Sequence, residues 1–144
     1  MDVQLVNVCH ARSGDKGQHC TIGLVPWEPE LYAVLVEQVT PQAVRAHFGD
    51  WVRGPVERYE LPRIPALSFV LNNALDGGGV RSLRIDAQGK AMCEAMLSMR
   101  VVLPDEFAAL GVRLRPSLST PRLGVRFAPV GKAATDGVAI TVVG

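Results

Sequence analysis

The chain has 144 residues, 48% of them hydrophobic, and its 15 Lys and Arg against 14 Asp and Glu give a formal net charge of +1. That length and apolar content suit one compact domain around one core. So even a charge balance leaves no long-range field to draw nucleic acid or an anionic membrane surface, and neither is an expected partner.

The opening MDVQLVNVCHARSGDKG lacks the basic start, apolar centre and small-residue cleavage site of a secretory signal. Nowhere do 18 apolar residues run together, so no spanning helix is predicted, and the expected setting is the cytoplasm. Cys9, Cys20 and Cys93 are an odd number in a presumed reducing compartment and are expected as thiols rather than disulfides.

In chain order, VQLVNV at 3–8 and CTIGLV at 20–25 read as two strands, with the segment between them at the tip of their connection. EPELYAVLVEQV places Pro29 at a first helical position and Leu31, Val34, Leu35 and Val39 on one stripe, predicting an amphipathic helix. Thr40 and Pro41 form a cap pair for a second, in which Val44, Phe48 and Trp51 recur. VERYEL at 56–61, bounded by Pro55 and Pro62, predicts an edge strand with Tyr59 and Leu61 on one face and Arg58 and Glu60 on the other.

ALSFVLNNAL fits the helical template through Leu67, Val70, Leu71, Ala74 and Leu75. Asp76 and the three glycines after it end that helix, and VRSLRID alternates as a strand. KAMCEAMLSM carries Met92, Ala95, Met96 and Met99 on one helical stripe, read as core packing. PDEFAALG predicts a brief helix stopped by Gly111, and the prolines beyond it leave short extended runs, RLGVRFA and GVAITVV.

The segment HARSGDKGQHC holds the chemistry-bearing residues. SGDKG lacks the spacing and the following helix of a phosphate-wrapping loop, yet Gly14 and Gly17 can let backbone N–H groups converge on an anion beside Lys16. An anion cradle and an ordinary turn both remain open on spacing alone. If it is a site, Asp15 is the candidate general acid or base, Lys16 the holder of an anionic group, and His10 or His19 the proton relay. Ser13, Gly14 and Gly17, with Gly77, Gly78 and Gly79 of the second glycine run, are the candidate ligand-binding residues. Cys9, His10, His19 and Cys20 resemble a zinc set, but neighbours on a strand point to opposite faces, so no metal is predicted.

The runs ARSGDKG, TIGLV, PELY, VERYELP and SFVLNNALDGGGVRSLRIDAQGK, followed by the Met-rich helix, resemble in that order the small ferredoxin-fold domain at the C-terminus of AtuA-type proteins, named for acyclic terpene utilisation. The likeness covers about residues 5 to 100. It implies an α+β, ferredoxin-like sandwich, with helices on one face of a mainly antiparallel sheet, over residues 1–100. Residues 101–144 then form a C-terminal extension packed on the same domain.

The resemblance also implies work beside a larger AtuA-type N-terminal domain, in an enzyme system acting on acyl-CoA or related carboxylated substrates, with SGDKG contributing to a shared site. No cofactor is implied, and a homo-oligomer is expected. A stand-alone hydratase or hydrolase is the second expectation, and a non-catalytic assembly module the third. The chain departs from the expected pattern at Gln18, His19 and Cys20, where small polar residues would precede the Ile-Gly pair.

Overall fold

The computed structural model describes residues 1–109, so the runs expected at 122–128 and 137–143 lie outside the described residues. Six strands are described: β1 (Asp2–Gln4), β2 (Cys9–Lys16), β3 (His19–Pro26), β4 (Val56–Leu61), β5 (Ala66–Leu71) and β6 (Arg100–Val102). The helices are α1 (Tyr32–Gln38), α2 (Pro41–Phe48), α3 (Met92–Leu97) and the short α4 (Asp105–Ala109). β2, β3, β5 and β4 form, in that order, a fully antiparallel sheet. β1 and β6 pair antiparallel as a separate two-stranded ribbon.

Alternation along the sheet builds the core. Cys20, Ile22 and Leu24 of β3 and Leu67, Phe69 and Leu71 of β5 stand fully buried on one face. They pack with Val34 and Leu35 of α1, Val44 of α2, and Met92 and Met96 of α3 in one cluster. Replacing Phe69 by Ala would cost about 3–5 kcal/mol by the usual cavity penalty. The methionine stripe is therefore core, as its spacing indicates.

Local chemistry sets the helix ends. Thr40 Oγ1 accepts the Ala43 N–H at 3.1 Å, with Pro41 in the first turn where its missing donor costs nothing. Arg58 donates to the Val36 and Val39 carbonyls at 2.6 and 3.1 Å, closing the C-terminus of α1 with a cation.

Five expectations need correction. ALSFVL is not helical but strand β5, because a strand buried between two neighbours reads as a continuous apolar run. VRSLRID is not a strand; residues 79–90 pass through turns, and Val80, Leu83 and Ile85 are fully exposed. β4 is the edge strand foreseen, but it turns Val56, Arg58 and Glu60 toward the helices and leaves Tyr59 and Leu61 exposed. In VQLVNV only β1 is strand, and Leu5–Asn7 form one turn of 3-10 helix before the chain enters β2.

The fifth correction concerns HARSGDK. It is not a connection but most of strand β2, and the hairpin turn is only Gly17 and Gln18. Gly17 has φ 63°, which suits the first central position of a tight two-residue turn.

Candidate functional site

The β2–β3 register places every residue of the motif. Lys16 pairs with His19, Asp15 with Cys20, Gly14 with Thr21 and Ser13 with Ile22. Because side chains alternate, Lys16, His19, Arg12 and His10 lie on the outer face, whereas Asp15, Ser13 and Cys9 lie on the helix side. Asp15 and Lys16 thus point away from each other. Lys16 Nζ bonds the Asp15 carbonyl oxygen at 3.2 Å and is otherwise exposed. Asp15 Oδ1 lies 3.9 Å from Lys90 Nζ.

His10 sits at the far end of the hairpin, stacked on Trp27 with ring centroids 4.6 Å apart. Six residues of extended strand separate it from Lys16, about 20 Å. His19 stands at the near end, where its Nδ1 accepts the Asn73 N–H at 3.3 Å. In the neutral ring that bond fixes the proton on Nε2. Cys9 and Cys20 are equally far apart along the hairpin, and among the described residues no group of three or more His, Cys, Asp or Glu is arranged to hold a metal.

Ser13 is engaged in holding the fold. Among the described residues it is the polar residue buried in the core, 8% exposed. Its Oγ donates to the Gly89 carbonyl at 2.6 Å and accepts the Cys93 N–H at 2.9 Å. Ala91, at the N-cap of α3, supplies no side-chain cap. Ser13 therefore caps α3 from another strand and ties segment 89–93 to β2. Asp86 secures the same segment by accepting the Lys90 and Ala91 N–H groups at 2.7 and 2.9 Å.

The two glycine motifs meet at the hairpin tip. Leu75 N–H bonds the Gln18 carbonyl at 3.0 Å, and Gly78, at φ 77°, lies directly against the Gly17 carbonyl. Asn73, Asp76 and Gly77 also take positive φ, so this loop is wound in a conformation that costs most residues about 1–3 kcal/mol. Beside it opens a cleft of about 550 Å³, lined by Gln18, Arg53, Asn73, Asp76, Gly77, Arg81 and Leu83. A second hollow of about 560 Å³ is lined by Trp51, Arg84, Ile85 and Asp86.

Of the residues expected from the sequence, the structure brings Gly17, Gly77, Gly78 and His19 to this junction. Gly79 lies in the same loop with Gln88 packed over it. Lys16 flanks the tip on the outer face, and Gly14, Asp15, Ser13 and His10 lie along β2 away from it. Arg53, Asn73, Asp76 and Arg81 were not foreseen. A clue to Arg53 lay in its neighbours Gly54 and Pro55, since the Gly54 N–H bonds the Asn72 carbonyl at 2.9 Å and sets this segment beside the loop.

Burial alone governs the thiol of Cys9, pushing it from 9.0 up to about 12. Cys20 rises to about 11, mainly through burial, with the Gly14 backbone pulling the other way. Neither is a nucleophile at neutral pH.

No curated protein and no solved structure matches the chain. The family model described as the AtuA ferredoxin-like domain matches residues 3–102, spanning β1 through β6. An antiparallel sheet with helices packed against it agrees with a ferredoxin-like domain, and the chain belongs to the AtuA ferredoxin-like domain family.

Proposed function

We propose that the chain serves as an accessory subunit of a cytoplasmic enzyme system acting on acyl-CoA or related carboxylated substrates, its hairpin tip and glycine loop contributing to a site shared with a larger AtuA-type partner. The observation that carries this reading is the junction of Gly17 with Gly78, which unites the chain's two most family-specific motifs beside an open cleft. On the outer face at that end, Lys16 supplies a point charge for an anionic group and His19 a proton on Nε2. Asp15, on the other side of the strand, lies 3.9 Å from Lys90 Nζ.

The four candidate catalytic residues of the hairpin, His10, Asp15, Lys16 and His19, do not converge on one point, which weighs against a self-contained hydratase or hydrolase. Such an enzyme needs acid, base and anion holder around one reacting atom.

A non-catalytic assembly module is the second reading, favoured by one observation. Val80, Leu83 and Ile85 present three fully exposed apolar side chains within six residues, an arrangement typical of a surface that another protein covers. Co-expression with a larger AtuA-type protein separates the two. The shared-site reading expects a stable complex whose turnover of acyl-CoA falls when Lys16 or His19 is replaced; the assembly reading expects the complex with turnover unchanged.

A further inference from the structure

Arg81 differs from the other cations around the glycine loop. Arg53 is bound to Asp76 at 3.0 Å, and Arg84 donates to the Ala74 carbonyl at 2.8 Å. The Arg81 side chain instead lies along Gly77, where a β-carbon would stand 2.9 Å from Arg81 Cδ, and its guanidinium has no partner among the described residues. The backbone N–H groups of Gly77 and Gly79 are likewise without a protein acceptor among the described residues. The cleft is therefore lined by a guanidinium without a partner among the described residues, a second one shared with an exposed carboxylate, and Gly77 with its unused N–H. Donors so arranged fit a small oxyanion, which Arg can grip with two parallel hydrogen bonds.

The neighbouring hollow has the opposite character. Its two charged members are committed elsewhere, Arg84 to Ala74 and Asp86 to the N–H groups of Lys90 and Ala91. What remains is the half-exposed indole of Trp51 and the fully exposed side chain of Ile85. Both hollows draw walls from the same two stretches, 51–53 and 81–86, a common seam of the chain in which Leu83 of one hollow is followed directly by Arg84 of the other. A polar end with spare cationic donors and an apolar end with a flat aromatic surface describe an amphiphile with an anionic head.

We infer that this seam is a binding site for an amphiphilic oxyanion, an aliphatic chain ending in a carboxylate or phosphate. Arg81 and Arg53 hold the head, and Trp51 and Ile85 cover the chain. This deepens the proposed shared site and rests on it, adding the arginines of the cleft to Lys16 as holders of anionic groups. Asp76 is the internal competitor: it occupies Arg53 until the ligand head arrives.

The test is calorimetric titration of the full 144-residue chain with octanoate, octyl phosphate, octanol, acetate and inorganic phosphate. One octanoate or octyl phosphate is expected to bind per chain, with octanol, acetate and inorganic phosphate at least about tenfold weaker; the tighter head tells carboxylate from phosphate. Arg81→Met should weaken the amphiphilic anions by about tenfold or more, as expected for a lost charge-assisted pair. Asp76→Asn, tolerated at positive φ, should tighten them severalfold, and Ile85→Asp should weaken only the long-chain ligands. Three results would each overturn the site: no binding of either anion, octanol binding as tightly as octanoate, or Arg81→Met matching the parent. Because the chain is titrated alone, such a failure is read independently of whether a larger partner is captured.

Discussion

Gly78 packs against the carbonyl of Gly17 so closely that a β-carbon on Gly78 would stand 2.8 Å from the Gly17 carbonyl carbon. Its φ of 77° already excludes most side chains, and the contact removes the space that one would need. Gly78→Ala is therefore expected to destabilise the fold by about 2 kcal/mol or more. Gly79→Ala should cost less than about 1 kcal/mol, because its β-carbon would meet only the flexible side chain of Gln88, 3.1 Å from Cγ. Urea unfolding of the two variants side by side measures the difference; equal costs would mean that the tip contact does not hold the loop.

Ser13→Ala removes the acceptor from the Cys93 N–H and the donor from the Gly89 carbonyl at a buried position. The expected loss is about 1–3 kcal/mol, the penalty for stranded buried polar groups. Amide exchange at Cys93 should accelerate relative to the core of β5, which locates the loss at the start of α3. A neutral substitution would show that water replaces the hydroxyl there.

The buried thiols make stability fall in alkali. Cys9 and Cys20 ionise near 9.0 when unfolded but only near 12 and 11 in the fold, so above pH 9 the unfolded chain releases protons that the native one retains. The contribution is complete below about pH 9 and is lost as pH rises toward 11. A thermal melt series from pH 7 to 10.5 should show a steady decline above 9, flattened in a Cys9→Ala, Cys20→Ala double variant when each series is referenced to its own value at pH 7.

Lys16, His19 and Asp15 are separable by face. The Asp15 and Lys90 groups are 3.9 Å apart and partly solvated, so Asp15→Asn and Lys16→Met should each change stability by less than about 0.5 kcal/mol. In the assembled complex, Lys16→Met is expected to raise the KM for an anionic substrate by about tenfold, and His19→Gln to lower turnover on the order of 100-fold. Asp15→Asn should stay within about twofold. A 100-fold loss for Asp15→Asn with normal His19→Gln would place the reacting atoms on the helix side of the hairpin.

Local signals revealed the elements whose chemistry is local. Thr40 with Pro41, the stripe through Leu31, Val34 and Leu35, and the methionine spacing each describe one helix, and each stands where expected. Strand β5 was misread because Leu67, Phe69 and Leu71 gain their burial from two neighbouring strands, a fact of topology that the alternating Ser68 and Val70 are too weakly polar to announce. HARSGDK looks like a turn because Gly, Asp and Lys are turn formers; pairing across the hairpin with the β-branched Thr21, Ile22 and Val25 of β3 overrides that preference. Leu83 and Ile85 alternate as a strand would, yet face solvent. At the cleft, the glycines were legible as backbone needs, whereas Arg53 and Arg81 come from distant stretches that only the fold brings to one wall.

The central claim is that the tip and glycine loop complete a site on a larger protein. The most direct measurement is acyl-CoA turnover by a purified AtuA-type partner as this chain is titrated in, with Val80→Asp, Leu83→Asp and His19→Gln chains in parallel. The account predicts a saturable rise in rate with the parent chain, loss of binding with the two aspartate variants, and normal binding without the rise for His19→Gln. A partner that works at full rate alone, or one that binds this chain with no change in rate, would contradict it.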